Sequence, residues 1–233
     1  MTSPVPDSAE RRRPLVVAID GPAASGKSST AKWVARELGF RHVDSGALYR
    51  AATAATLRAH PDSDDWTPAL VLAAARSVSL VPGETTFHAQ LDGASVEEEL
   101  RGHAVTSRVS IVARMPEVRE WVNGMCRLAA EGSPVVVDGR DMGTAVFPQA
   151  RVKVFLVADS WERAKRRLIQ CLERQPTEEE IAAEVDALVH RDAKDEAQTK
   201  QAADAVLIDT TYLTQEDQVD RIVALARQAQ RSS

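Results

Sequence analysis

Gly21-Pro-Ala-Ala-Ser-Gly-Lys27-Ser28 follows an apolar run at residues 15–20 and precedes a segment where Ala31, Val34, Ala35 and Leu38 recur at helical spacing. A glycine-rich turn between a strand and a helix, ending in Gly-Lys-Ser, is the arrangement that cradles a phosphate chain. The glycines let backbone N–H groups curl around phosphate oxygens, and the helix N-terminus adds partial positive charge. In that pattern Lys27 reaches the β- and γ-phosphates, and the Ser28 hydroxyl ligates Mg²⁺. A nucleoside triphosphate is the expected ligand.

Such a loop serves switches, hydrolytic motors and phosphoryl transfer to small molecules. A guanine switch would carry Asn-Lys-x-Asp, but the one asparagine, Asn123, is followed by glycine. A hydrolytic ATPase usually follows its strand-end aspartate with a water-activating glutamate, whereas Asp138 is followed by Gly139. Transfer to a bound acceptor remains, and it requires a second set of phosphate-gripping arginines. Arg50 and Arg140 are placed for this. The first lies one to two turns into the helix opened by Asp44-Ser45-Gly46, and the second follows Asp138-Gly139.

These groups need a frame. Runs of strand length at 15–20, 41–44, 134–138, 152–158 and 205–209 alternate with helix-period segments. One such segment lines up Val118, Val122, Met125, Cys126 and Ala129, and another Ile181, Val185, Leu188 and Val189. The alternation predicts a parallel sheet wrapped by helices, with ligands at the carboxyl ends of its strands. Asp20, Asp44, Asp138 and Asp209 fall at those ends, although Asp209 could instead cap the last helix. Residues 77–100 break the pattern and read as a small antiparallel β insert with turns at Pro82-Gly83-Glu84 and Asp92-Gly93. Glu178-Glu179-Glu180 reads as a helix start rather than a metal site.

The 233 residues, 44% of them hydrophobic, suffice for one sizeable core. A net charge of −5 and only 4% aromatic residues argue against nucleic acid as a partner. Nothing is long and apolar enough to span a bilayer, and five scattered histidines lack metal-ligand spacing. Cys126 and Cys171 read as small buried thiols in a reducing compartment. Residues 1–14, with three prolines and Arg11-Arg12-Arg13, read as a disordered tail on a cytoplasmic protein.

The chain closely resembles the bacterial cytidylate kinases, members of the nucleoside monophosphate kinase superfamily. The matching pieces are Asp20 to Lys27, Asp44-Ser-Gly-Ala-Leu-Tyr-Arg50, Pro116-Glu-Val-Arg119-Glu120, and Asp138-Gly-Arg-Asp-Met-Gly-Thr144 running into Val146-Phe-Pro148. Arg191-Asp192-Ala-Lys-Asp195 and Ala203-Asp204-Ala205 also fit. The resemblance runs from about Leu15 to the C-terminus. It implies one P-loop kinase domain at 15–233: a core at 15–45, 134–158 and 203–233, an acceptor-binding region at 46–133, and a helical lid at about 170–200.

The implied activity is transfer of the ATP γ-phosphoryl group to CMP and dCMP, with Mg²⁺, by a cytoplasmic monomer. The implied ATP-binding residues are Gly21, Pro22, Ala23, Ala24, Ser25, Gly26, Lys27, Ser28 and Ser29, with Arg163 from the lid stretch. Asp138 would lie in the outer shell of the Mg²⁺ that Ser28 ligates and also belong to the acceptor-binding set. Lys27, Arg50, Arg140 and Arg191 would act on the phosphoryl groups. Ser45, Ser110, Arg119 and Asp141 would read cytosine, Asp195 would accept a ribose hydroxyl, and Arg101 completes the acceptor set. Asp141 could otherwise be a helix N-cap. Arg163, Arg166, Arg167 and Arg191 are candidates to touch the triphosphate on lid closure.

One departure stands out. The family usually carries an arginine three residues beyond the aspartate aligned with Asp195, then a short loop with proline. Here Gln198 is followed by Thr-Lys-Gln, without proline and with fewer residues before Ala203. Either Lys200 compensates or the acceptor is held less tightly. Two other readings stay open at this level: the same chemistry on UMP or a non-nucleotide such as shikimate, and a nucleotide-binding module without turnover.

Overall fold

The computed structural model describes residues 14–61 and 65–231. The expected disordered tail at 1–14 lies outside the described residues except for Pro14, which is half-buried.

Five strands form one parallel sheet: β1 (Val16–Asp20), β2 (Arg41–Asp44), β6 (Val135–Asp138), β7 (Val152–Val157) and β8 (Val206–Asp209), in the order β2-β6-β1-β7-β8. Both faces of β1, β6 and β7 are covered, which is why these strands read as near-continuous aliphatic runs, whereas Val206 and Leu207 of edge strand β8 are exposed. Val17, Ile19 and Val136 pack on one side against helices α1 (Lys27–Leu38) and α9 (Gln215–Arg231). Ala18, Val135 and Val137 face the other side, toward α2 (Ser45–Ala59), α3 (Pro68–Ala74) and α6 (Pro116–Ala130).

The insert is a three-stranded antiparallel sheet of β3 (Val78–Pro82), β4 (Phe87–Leu91) and β5 (Ala94–Ser95). It ends sooner than expected. Residues 97–101 form the short helix α4 (Glu97–Arg101), because three glutamates in its first turn favour the positive end of a helix dipole. α5 (His103–Val112) follows. A bridge between His42 and Thr86, with His42 N–H donating to Thr85 O at 2.9 Å, docks the insert against β2.

α7 (Ser160–Leu172) and α8 (Glu178–Asp195) form a hairpin on a small separate core of Ala23, Ala164, Ile181 and Leu188. Thr177 and Glu180 make a reciprocal capping box at the α8 start. Val189, expected on the apolar face, is 53% exposed, because it falls one step off the Ile181–Val185–Leu188 stripe. Cys171 is exposed, contrary to expectation; it sits in the last turn of α7, beyond the Ala164–Leu168 stripe that meets α8. Cys126 is buried, and burial pushes its thiol up to about 12. Asp209 does not cap α9. Its carboxylate accepts from the Thr211 N–H and hydroxyl, while Thr214 and Asp217 close the α9 start.

Candidate active site

The loop after β1 is shaped by contact with its neighbour. Gly21 lies at φ 148°, and a Cβ there would stand 2.1 Å from the Leu156 carbonyl oxygen of β7, so glycine is required. Gly26 precedes α1 with φ 90° and supplies no side-chain cap. The first-turn N–H groups of α1 therefore remain available to an anion. Lys27 is buried, with Nζ donating to Pro22 O at 2.6 Å. Burial, reinforced by the Arg140 charge, draws its ammonium down to about 7. Ser25 contributes a buried hydroxyl with no hydrogen-bond partner among the described residues.

Asp44 and Asp138 are direct neighbours in register at the ends of β2 and β6. Asp138 Oδ2 accepts from the Ser28 hydroxyl at 2.6 Å, and Oδ1 meets His42 Nε2 at 2.6 Å. Burial pushes the Asp138 carboxyl up, yet the hydrogen bonds from His42 and Ser28 outweigh it and hold the group below its ordinary value. Burial and the Asp138 charge raise Asp44, whose side chain caps α2 at Ala47 N–H, 3.0 Å away. Ser45 spends its hydroxyl proton on Asp138 O at 2.7 Å. Asp20, at the end of β1, accepts from Met142 N–H at 2.8 Å and Gly143 N–H at 2.7 Å, anchoring the segment after Asp138. Burial carries its carboxyl up to about 6.

Three of the four residues named for phosphoryl chemistry converge beside the loop as arginines. Arg50 Nη1 donates to Leu100 O at 3.1 Å and Thr106 Oγ1 at 3.0 Å. Arg140 Nη1 donates to Gly21 O at 3.3 Å, and its Nη2 faces Asp195 at 3.4 Å. Arg191 Nε lies 3.9 Å from the same Asp195 oxygen. Burial, then the charges of Arg140, Arg167 and Arg50, draws Arg191 down to about 10. Burial also lowers Arg50, with Arg167, Arg101 and Arg140 adding to the effect. Like charges gathered at one place, with Arg140 Nε buried and unpartnered among the described residues, leave a strongly anion-seeking pocket. Asp195 is already engaged by two of these arginines, although sequence reasoning gave it a ribose hydroxyl.

Next to this pocket, Arg119 Nη2 donates to Asp141 Oδ2, its Nη1 donates to Ala113 O at 3.1 Å, and the guanidinium lies 5.9 Å over the ring of Tyr49. The Asp141 side chain goes to Arg119 instead of capping the turn Met142–Val146. Burial raises the Tyr49 hydroxyl, which has no hydrogen-bond partner among the described residues. Ser110 is half-buried on α5, and Arg101 is exposed at the end of α4.

The lid-stretch arginines are all paired. Arg163, buried, joins Ala23 O at 3.0 Å to Asp192 at 2.6 Å, so it braces the phosphate loop from behind. Arg166 holds Thr210 and Thr211 after β8, and Arg167 pairs with Glu184 of α8 at 2.7 Å. His42, Tyr49 and Asp192 were not singled out from the sequence. For His42 the available signal was its position two residues before the strand-end Asp44, on the same face of β2.

Comparison with known proteins bears on this arrangement. The family model described as cytidylate kinase matches residues 17–228. A cytidylate kinase of Nocardia farcinica is 40% identical over 222 residues, covering 92% of this chain and 94% of its own length. One from Geobacillus thermodenitrificans is 42% identical over 224 residues, covering 94% and 98%. One from Caldanaerobacter subterraneus is 41% identical over 215 residues, covering 91% and 94%. The chain belongs to the cytidylate kinase family.

Proposed function

We infer that the chain transfers the γ-phosphoryl group of ATP to CMP and dCMP, giving ADP with CDP or dCDP. The observation that carries this reading is the convergence of Arg50, Arg140 and Arg191 beside a phosphate loop, with the Arg119–Asp141 pair next to them. One anion site would hold the donor triphosphate and the other the acceptor monophosphate, and Arg140 touches both the Gly21 carbonyl and Asp195.

Phosphoryl transfer asks the protein to position reactants and stabilise charge on the moving group. The acceptor phosphate is anionic at neutral pH, so no general base is required. Lys27 would leave Pro22 O for the β- and γ-phosphates, regaining full charge beside them. Residues Gly21 to Ser29 supply the loop amides, and Arg163 keeps Ala23 in place. Arg50 and Arg140 would fork onto the acceptor phosphate, with Arg101 and Arg191 adding positive charge. Cytosine presents acceptors at its ring nitrogen and carbonyl and a donor at its amino group. Arg119 complements the first two and Asp141 the third, with Ser45 and Ser110 completing the base pocket. Uracil reverses ring-nitrogen and C4 polarity, which would leave these buried partners unpaired.

Ser28 and Asp138 offer hard oxygen donors 2.6 Å apart, a fit for Mg²⁺, which keeps few protein ligands. Ser28 would hold it directly and Asp138 through its outer shell; bound there, it neutralises charge on the β- and γ-oxygens. Residues 46–133 would form the acceptor-binding region, and about 170–200 the lid that excludes water. We place the enzyme in the cytoplasm as a monomer without a nucleic acid or membrane partner; the net charge of −5 speaks against nucleic acid. Among the described residues, no helix is long and apolar enough to cross a membrane.

Label transfer tests the reading. ATP labelled in its γ-phosphate should pass the label to CMP, giving labelled CDP. ATP binding without labelled CDP would overturn it.

A further inference from the structure

His42 is a fully buried histidine whose two ring nitrogens are both engaged, on opposite sides. Nε2 lies 2.6 Å from Asp138 Oδ1, and Nδ1 lies 3.1 Å from Thr86 Oγ1 in the turn between β3 and β4. Asp138 Oδ2 in turn accepts from Ser28 of the phosphate loop at 2.6 Å. An ionised carboxylate can only accept, so the Nε2 proton belongs to His42 and points at Asp138. Four side chains from four parts of the fold thus form one line: insert, edge strand β2, inner strand β6, phosphate loop.

Asp138 needs such a partner. The half-buried Asp44 stands beside it in register, and the two neighbouring acidic groups repel each other: burial and then the Asp138 charge raise the Asp44 carboxyl. The His42 donor fixes Oδ1 and leaves Oδ2 aimed at Ser28. The backbone secures the far end, since His42 N–H donates to Thr85 O at 2.9 Å and His42 pairs with Thr86 across the bridge.

We propose that His42 is a positioning residue for the metal-bearing side of the phosphate loop, orienting the Asp138 carboxylate toward Ser28, and that Thr86 ties this orientation to the β insert. The proposal rests on the phosphotransfer reading above. Ligand-orienting neighbours of this kind commonly change metal affinity or activity by roughly 10–100-fold when removed.

The test compares full-length wild type with His42→Phe, His42→Gln and Thr86→Val. The main readout is Mn²⁺ affinity in the ADP complex, followed by electron paramagnetic resonance, alongside kcat and the KM for CMP. His42→Phe fills the space without a donor and should weaken Mn²⁺ binding by roughly tenfold or more. Its kcat should fall by a similar factor, with metal-free ADP affinity and the KM for CMP within about twofold. His42→Gln, whose amide can reach where Nε2 does, should restore most of the loss. Unchanged Mn²⁺ affinity in a folded His42→Phe protein would overturn the proposal, as would equal losses in the Phe and Gln variants. If His42→Phe does not fold, the near-isosteric Thr86→Val decides: a loss of roughly two- to fivefold in Mn²⁺ affinity supports the proposal, and no change overturns it. Wild type without CMP turnover would sink the phosphotransfer reading and leave the Mn²⁺ comparison standing.

Discussion

Arg140 reaches the carbonyl oxygen of Gly21 at 3.3 Å, tying the segment after β6 to the first residue of the phosphate loop. The other arm of the same guanidinium meets Asp195 at the end of α8. One side chain therefore spans the phosphate loop, the arginine pocket and the α7–α8 hairpin. Its planar fork suits this, and a lysine could not make both contacts.

Replacing Arg140 with Met should lower kcat by roughly 10²–10³ while the protein keeps its melting temperature. Arg140→Lys should recover little of the loss, because a point charge does not reproduce the bidentate grip. Steady-state kinetics with thermal melts check this. A lysine variant near wild-type rate would contradict the role given to the fork.

The Arg119–Asp141 pair sets the expectation for base choice. Asp141→Asn should reduce kcat/KM for CMP far more than for UMP, narrowing the preference by roughly tenfold or more. Competition between the two acceptors reads the ratio directly. An unchanged ratio would remove this pair from base recognition.

How much of this was legible without a structure varies by feature. The phosphate loop and the Asp138-Gly-Arg140-Asp141 segment are contiguous, so their chemistry survives in linear spacing. The partners of Arg163 are not contiguous: Ala23 and Asp192 meet it only after α7 and α8 pack on the loop. His42 gains its role from the parallel pairing of β2 with β6, and a single histidine before Val-Asp carries no motif. The insert was overextended because Glu97 to Glu99 follow Ala94-Ser95-Val96 without a glycine or proline to mark the switch from strand to helix.

Asp20 predicts a pH dependence of stability. Its carboxyl rises from an ordinary 3.8 to about 6 through burial, so the folded protein holds that proton more tightly than the unfolded chain. The associated stabilisation is complete below about 3.8 and is lost as pH climbs through about 6. Relative to Asp20→Asn, wild type should therefore lose roughly 2–2.5 kcal/mol between pH 4 and pH 8. Urea unfolding of both proteins across that range tests the sign. A gap that widens in favour of wild type as pH rises would refute it.

Gln198 occupies the first turn beyond α8, its N–H donating to Asp195 O at 3.0 Å. An arginine there would join Arg140 and Arg191 near Asp195 and add charge to the acceptor pocket. Gln198→Arg should lower the KM for CMP by roughly two- to tenfold with little change in kcat. An unchanged KM in a folded variant would mean that Lys200 or the present arginines already suffice.

The most direct test of the central claim is ADP release from ATP and Mg²⁺ with CMP, dCMP, UMP, AMP and shikimate offered separately. Rapid release with CMP and dCMP, and little with the other three, is the predicted result. Turnover with UMP alone, with shikimate alone or with none of the five would contradict it.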